Sequence, residues 1–378
     1  MSTWFATSAS INAIKASWHL SLTHEAMLTN AVQAGFVVGT LVSAVLALPD
    51  RVDLRKLFAG SALVAAVATF SIVFFEPTSP VVLLLRFITG ACMAGVYPVG
   101  MAIASTWAAG DLGLLIGLLV GGLTLGSAAP HMVAAADWKV PCVMAGSGAL
   151  IAALSICFVR LGPNVWAAPK FEASLILQGW KNRAVRAANL GYFGHMWELY
   201  AMWAWIGTFI LASFASTQQK PPVSASLVTF AIIGSGAVGA LLGGWAADRW
   251  GRTAVTSLSM LVSGCCAILI GFTFGAAPIV TVLVGMIWGI SVIADSAQFS
   301  ASVAELSDAP LRGTMLTLQT SIGFLITLVS IQAMPFVVKI VGWHLAFSIL
   351  AIGPFLGTIA MLRLRQMPES CKLAQGRR

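Results

Sequence analysis

Two uninterrupted apolar runs, Val223–Ala246 and Thr253–Thr273, are separated only by a few residues that include Asp248, Arg249 and Arg252. Each run is about the 20 residues that a helix needs to cross the hydrocarbon core of a bilayer. Backbone N–H and C=O groups in lipid find no water, so such a run must be helical. Three charged side chains within five positions cannot lie in hydrocarbon, so the segment between is a tight turn at a membrane surface. The same alternation recurs along the chain. Only 9% of the 378 residues are charged and 58% are hydrophobic, against about 25% charged in a soluble domain. The fold class that follows is an all-α polytopic membrane protein.

The first run, Met1–Ile14, is too short to cross before Lys15 and lacks the basic leading segment of a signal peptide. It reads as the second half of a truncated first span, with the true start upstream. Spans are then expected over Met27–Leu48, Leu57–Phe75, Val81–Thr106, Leu112–Val133 and Val140–Phe158. After the longest polar connection come Ala187–Phe214, Val223–Ala246, Thr253–Thr273, Pro278–Val303, Met315–Val338 and Trp343–Leu364. The turns between them are rich in proline, as at Pro77, Pro80, Pro221 and Pro222.

An internal repeat divides this series. Asp50-Arg51 with Arg55 follows the second span as Asp248-Arg249 with Arg252 follows the eighth, an offset of 198 residues or about half the chain. Such an offset is the mark of two related bundles. The expectation is twelve transmembrane helices in two pseudo-symmetric six-helix bundles, the first helix truncated. The bundles cover 1–159 and 187–366, with a linker at 160–186 and a tail at 367–378. The first copy of the charged turn is worn, with Leu46 and Asp53 where the second has glycine.

Charge gives the orientation. Of 21 basic residues, sixteen fall in the loops and tail on one side, including Arg51, Arg160, Arg249 and Arg377. Lys15, Lys139, Lys220 and Lys339 fall on the other, and Arg86 lies inside a span. The positive-inside rule then puts the Asp248 turn and the C-terminus in the cytoplasm. The net charge of +8 is thus a topology signal, and no nucleic-acid partner is expected. The six cysteines have neither metal-ligand nor disulfide-framework spacing, and neither a metal nor a cofactor is expected.

The turn itself carries a motif. Gly244, Asp248, Arg249, Gly251 and Arg252 resemble the Gly-x-x-x-Asp-Arg-x-Gly-Arg loop of the major facilitator superfamily, with Thr253 where a basic residue usually follows. The resemblance implies a secondary active transporter of the cell inner membrane, multi-pass and monomeric, working by alternating access. It also implies a cytoplasmic gate made of Gly244, Asp248, Arg249, Gly251 and Arg252 with the worn copy Asp50 and Arg51, in which Asp248 and Arg249 pair at the inner face. In this family the first and fourth helices of each bundle line the central cavity.

Charged residues inside spans are functional candidates by default. His195 and Glu198 are three positions apart, with Met202 and Trp205 continuing the same helical face. A carboxyl group in low-dielectric surroundings holds a proton more readily than one in water, and histidine titrates near neutrality. Glu198, His195 and Asp295 are therefore the expected proton-coupling residues. Trp197, Tyr200 and Trp203 fall on other faces and read as packing or lipid-facing bulk. Asp295 and Gln298 share a face in the tenth span. Arg86 opens Arg-x-x-x-Gly with Gly90, similar to a family pattern whose arginine handles substrate or protons. Nearby Tyr97-Pro98 is a candidate kink. Arg86, Tyr97, Met202, Trp205 and Gln298 are the expected wall of the substrate cavity.

Other readings are weaker. The glycines of the fifth span vaguely resemble the antiporter signature of the family, but Ser127 occupies its proline position, so helix packing accounts for them. Spans two and eight have no arginine, which argues against nitrate carriers. A membrane enzyme using His195 and Glu198 would need a third ligand that the sequence does not supply. A transporter-like sensor or assembly protein is the alternative to a proton-coupled carrier.

Overall fold

The computed structural model describes residues 1–107, 112–134, 137–163, 180–217, 221, 223–308 and 311–377, apart from the side chains of Leu22, Asp50, Leu112, Gly113 and Leu114. The first bundle helices are α1 Ser2–Ser17, α2 Thr23–Val45, α3 Leu54–Phe74, α4 Pro80–Ser105, α5 Leu112–Val133 and α6 Lys139–Phe158. They are followed by α7 Arg183–Ser216, α8 Ala225–Trp250, α9 Arg252–Phe272, α10 Pro278–Leu306, α11 Arg312–Val341 and α12 Trp343–Gln366. Eleven of these are long and apolar enough to cross a membrane. The twelfth, α1, has 16 residues and rises about 24 Å, short of the ~30 Å hydrocarbon core. It extends three residues beyond Ile14, past Lys15, whose Nζ reaches Glu25 Oε2 on α2 at 3.0 Å.

Two helix pairs do the same job in the two halves. The α2–α4 and α8–α10 crossings bring backbone onto backbone at glycine. A Cβ added at Gly90 would lie 2.0 Å from the Val32 carbonyl oxygen, and one at Gly243 would lie 1.9 Å from that of Ala294. Only glycine admits such approaches, the usual device of helix pairs in lipid. The halves meet chiefly where α2 packs on α11 and α5 on α8. At the first contact Asn30 Nδ2 donates to the Leu328 carbonyl (3.2 Å) and to Gln332 Oε1 (3.0 Å). At the second, Gly117 and Gly121 of α5 lie at ordinary contact distance from Ala240 and Ala237.

Two long helices are broken. In α4 the break spans Ala94–Val96, just before Tyr97-Pro98. Pro98 has no N–H for the Ala94 carbonyl and its ring excludes that oxygen, so the helix restarts there. In α10 the break is at Asp295, between Pro278–Ala294 and Ser296–Leu306. The expected linker 160–186 falls largely on 164–179, which lie outside the described residues. The tail is not a free polar end: Pro368–Gly376 forms short 3-10 turns in which Ser370 and Leu373 are fully buried.

Candidate transport site

A cavity of about 240 Å³ lies between the halves. It is walled by α4, α5, α7, α10 and α11, and it takes in Tyr97, Tyr192 and Tyr200, the three tyrosines of the chain. On α7 the lining positions Tyr192, Met196, Leu199 and Trp203 follow the i, i+4, i+7, i+11 spacing of one helical face. Ser296, Ser300 and Thr320 supply hydroxyls from α10 and α11, and among the described residues no charged side chain lines the cavity. Its chemistry is therefore aromatic and hydroxylic.

A second cavity of about 250 Å³ lies farther along α7, bounded by α1, α5, α7 and α8, with Ser8, Asn12, His131 and Thr208 in its wall. Between the two is a layer of rings. Trp4 and Phe5 come from α1, Phe36 from α2, Tyr200 and Trp203 from α7, and Phe324 from α11. Phe36 and Phe324 are 4.5 Å apart between centroids, Trp4 and Phe324 5.4 Å, and Phe5 meets Trp203 edge-on at 5.5 Å. Such offset and edge-on contacts suit aromatic quadrupoles. The layer joins the halves.

The titratable residues sit behind the cavity wall. Glu198 is 1% exposed and faces α9 and α10. Trp288 Nε1–H donates to its Oε1 (2.7 Å) and the Ser263 hydroxyl to its Oε2 (2.8 Å). One turn away, His195 Nδ1 is 3.0 Å from Asp295 Oδ1, both residues being buried, at the joint of α10. The ring of His195 also packs on Phe299, at 5.4 Å. Among the described residues no Lys or Arg pairs with any of the three acidic or imidazole groups. The structure thus brings Glu198, His195 and Asp295 together in one half, but off the cavity surface.

Four residues expected on the cavity wall are elsewhere. Arg86 is fully buried within the first half, where its guanidinium donates to the carbonyls of Leu28 (3.1 Å), Thr3 (2.5 Å) and Trp4. It ties α4 to α1 and α2, and among the described residues it pairs with no acid and does not line the cavity. Met202 is fully buried and Trp205 donates Nε1–H to the Ile331 carbonyl at 3.1 Å. Gln298 accepts from Arg252 Nη1 at 2.6 Å, at the charged turn. Of the expected wall, Tyr97 lines the cavity. Tyr200 and Trp203, read from sequence as packing or lipid-facing bulk, do so as well. The physical reason is that α7 is buried on nearly every side, so hydrophobic periodicity could not say which face looks inward.

The charged turn is built around Arg252. Its Nε and Nη2 donate to the two carboxylate oxygens of Glu305 (2.9 and 2.6 Å), and its Nη1 donates to Gln298 Oε1 (2.6 Å). The tail closes over this pair through Ala374 N–H, which donates to Glu305 Oε2 at 3.1 Å. A forked guanidinium–carboxylate bond of this kind is the strong form of an ion pair. Arg249 instead lies over the Trp245 ring, 4.3 Å from its centroid. Asp248 makes no ion pair among the described residues, and its carbonyl accepts from Arg377. The expected Asp248–Arg249 pairing is therefore replaced by Arg252–Glu305. Gly251 joins α8 to α9 at φ +92°, a conformation that favours glycine. Gly243, the neighbour of Gly244, makes a close approach to α10. In the worn copy Arg51 is exposed and makes no ion pair among the described residues, and the side chain of Asp50 lies outside them. Asp53 caps α3 and is held by Arg55 Nη2 at 2.8 Å.

Residues 1–232 match the family described as Major Facilitator Superfamily. The chain belongs to that superfamily. Residues 189–375 of this facilitator also match a family described as Sugar (and other) transporter. No curated protein matches the chain. The two matches make this facilitator a secondary transporter and not an enzyme, a multi-pass membrane protein with a small-molecule substrate.

The sequence did not point to Trp288, Ser263, Glu305 or the hydroxyls of the cavity. A signal was present for Glu305, which lies two turns after Gln298 on the same face of α10. The scarcity of tyrosine, with Tyr192 and Tyr200 on one face of α7, was the available pointer to the cavity.

Proposed function

We propose that this facilitator moves a small uncharged solute together with protons, by alternating access, across the cell inner membrane. The observation that carries the reading is the pairing of an uncharged aromatic and hydroxylic cavity with a buried titratable group directly behind it. A cavity without charges offers no counter-ion to an ionic cargo, whose desolvation would go uncompensated. Rings and hydroxyls suit a solute with an apolar face and a few polar groups.

Glu198 can be housed in both protonation states. As a carboxylate it accepts from Trp288 and Ser263. On taking a proton it must donate, and Ser263 has another acceptor, the Met260 carbonyl at 3.2 Å. The hydroxyl turns to that carbonyl and accepts from the acid, while the Trp288 bond is kept. A proton on Glu198 therefore reverses the hydrogen bond between α7 and α9 and adds one within α9, and so changes how α7 is held. His195 and Asp295 form a second proton-holding pair at the joint of α10. Tyr192, Met196, Leu199 and Trp203 share α7 with Glu198, which links proton state to the shape of the cavity wall.

The moving bodies in this reading are 1–159 and 187–366, connected by 160–186, in a protein that acts as a monomer. The aromatic layer parts when the path opens toward the second cavity, and the Arg252–Glu305 clasp loosens when it opens to the side bearing the Asp248 turn. That side is the cytoplasm by the distribution of basic residues, which supports a cytoplasmic C-terminus. The test uses purified protein in proteoliposomes that enclose a pH indicator. Solutes are first selected by thermal shift among small ring-bearing neutral compounds, organic acids and amines. Adding a selected neutral solute to one side should shift the internal pH as the solute moves. Solute flux without any proton movement would exclude coupling, and selection of organic acids or amines alone would exclude the neutral cargo.

A further inference from the structure

The outer surface of α7, α11 and α12 is cut by a groove of about 670 Å³, larger than either inner cavity. Its floor is a helix crossing without side chains. A Cβ at Gly194 would lie 2.3 Å from the Gly353 carbonyl oxygen, and one at Gly353 would lie 2.4 Å from that of Gly194. Two backbones in contact leave a trough above them. Its walls are aliphatic and face outward, with Val329 59% and Leu356 62% exposed. In a membrane these side chains face hydrocarbon.

One end of the groove has a different character. Arg183 and Arg186 lie on the first turn of α7 and Arg363 on the last turn of α12, and all three line the groove. None of them forms an ion pair among the described residues. Trp180 stands beside this end, its ring stacked on Phe193 at 6.3 Å, in keeping with tryptophan at a membrane interface. From Arg363 back to Ile352, α12 advances about 16 Å at roughly 1.5 Å per residue. That is about half of the ~30 Å hydrocarbon core, the depth of a single leaflet.

We infer that this groove is a binding site for one anionic phospholipid. The phosphate and its net negative charge meet Arg183, Arg186 and Arg363, whose guanidinium groups offer forked donors to phosphate oxygens. An acyl chain lies along the glycine trough between Val329 and Leu356. A zwitterionic lipid presents its own cation to the same three arginines, so it binds more weakly. The site does not depend on proton coupling, because Glu198 faces α9 and α10 instead.

The experiment is native mass spectrometry of the purified full chain, titrated separately with phosphatidylglycerol and phosphatidylcholine of identical acyl chains. One phosphatidylglycerol should be retained at about a tenfold lower lipid concentration than phosphatidylcholine, as expected for a cluster of basic residues at a membrane surface. The triple variant Arg183→Gln, Arg186→Gln, Arg363→Gln should lose that preference. A control variant, Lys56→Gln with Lys372→Gln, removes charge elsewhere and should keep it. Ala360→Phe fills the trough while leaving the arginines, and should also lose the tightly held lipid. Equal retention of the two lipids by the unaltered protein would overturn the inference without any variant being needed. So would an unchanged preference in Ala360→Phe, or an equal loss in the control.

Discussion

Glu198 accepts two hydrogen bonds from different helices, which separates its substitutions by what they leave behind. Glu198→Gln keeps an acceptor for Trp288 and a polar group beside Ser263. Glu198→Ala leaves the buried Trp288 Nε1–H without an acceptor, a loss of about 1–3 kcal/mol. Thermal unfolding in detergent should therefore place Glu198→Ala well below Glu198→Gln, and equal midpoints would contradict the bonding. A second residue-scale prediction concerns Asp53, outside the spans, where the Arg55 guanidinium holds the carboxyl down at about 2. A depressed value means that its stabilising contribution is full at neutral pH and fades as pH falls below about 4 toward 2. The difference in midpoint between the unaltered protein and Asp53→Ala should be small and constant from pH 8 to 5, and shrink below pH 4. Glu198 was legible in the sequence because a carboxyl in the middle of an apolar run is conspicuous. Its donors were not, because Ser263 and Trp288 lie 65 and 90 positions away and carry no charge to betray them.

At the scale of helices, the glycine crossings set what each pair tolerates. In Gly243→Leu the new side chain must enter the space of the Ala294 backbone, which cannot yield as a flexible side chain does. Overpacking of this kind costs at least about 1–3 kcal/mol, so the variant should unfold several degrees earlier, while Gly122→Leu, which meets nothing nearby, should not. Equal effects would mean that α8 and α10 do not approach as described. The proposed gate gives another prediction. Glu305→Gln weakens the forked bond to Arg252 and should raise the reactivity of a cysteine placed at Ser300 toward reagents added on the side of the Asp248 turn. An unchanged rate would remove Arg252–Glu305 from the gate. The α4 break was readable from Pro98, because proline acts locally. The α10 break at Asp295 was not, since it has neither proline nor glycine and coincides with contacts from α7 and α8. The Arg252–Glu305 pair illustrates the same limit: the motif marked Arg252, but its partner comes from the far end of another helix.

For the whole molecule, the alternation of apolar runs and charged turns made the all-α membrane fold legible, because each span is obliged by its own composition to be helical. Which faces of those helices look inward was not legible for α7. A soluble helix marks its outer side with a polar face, whereas α7 is buried on nearly every side and its polar groups His195 and Glu198 face α9 and α10 rather than the cavity. The proposed carrier has its solute cavity and proton-holding carboxyl back to back on one helix. The measurement that bears most directly on this is a pair of assays on Glu198→Gln in proteoliposomes. In the first, a pH gradient drives accumulation of the solute; in the second, labelled solute exchanges across the membrane without a gradient. The variant should lose accumulation and keep exchange, since its cavity wall is intact and only the proton site is gone. Accumulation at the unaltered rate in Glu198→Gln would contradict the account.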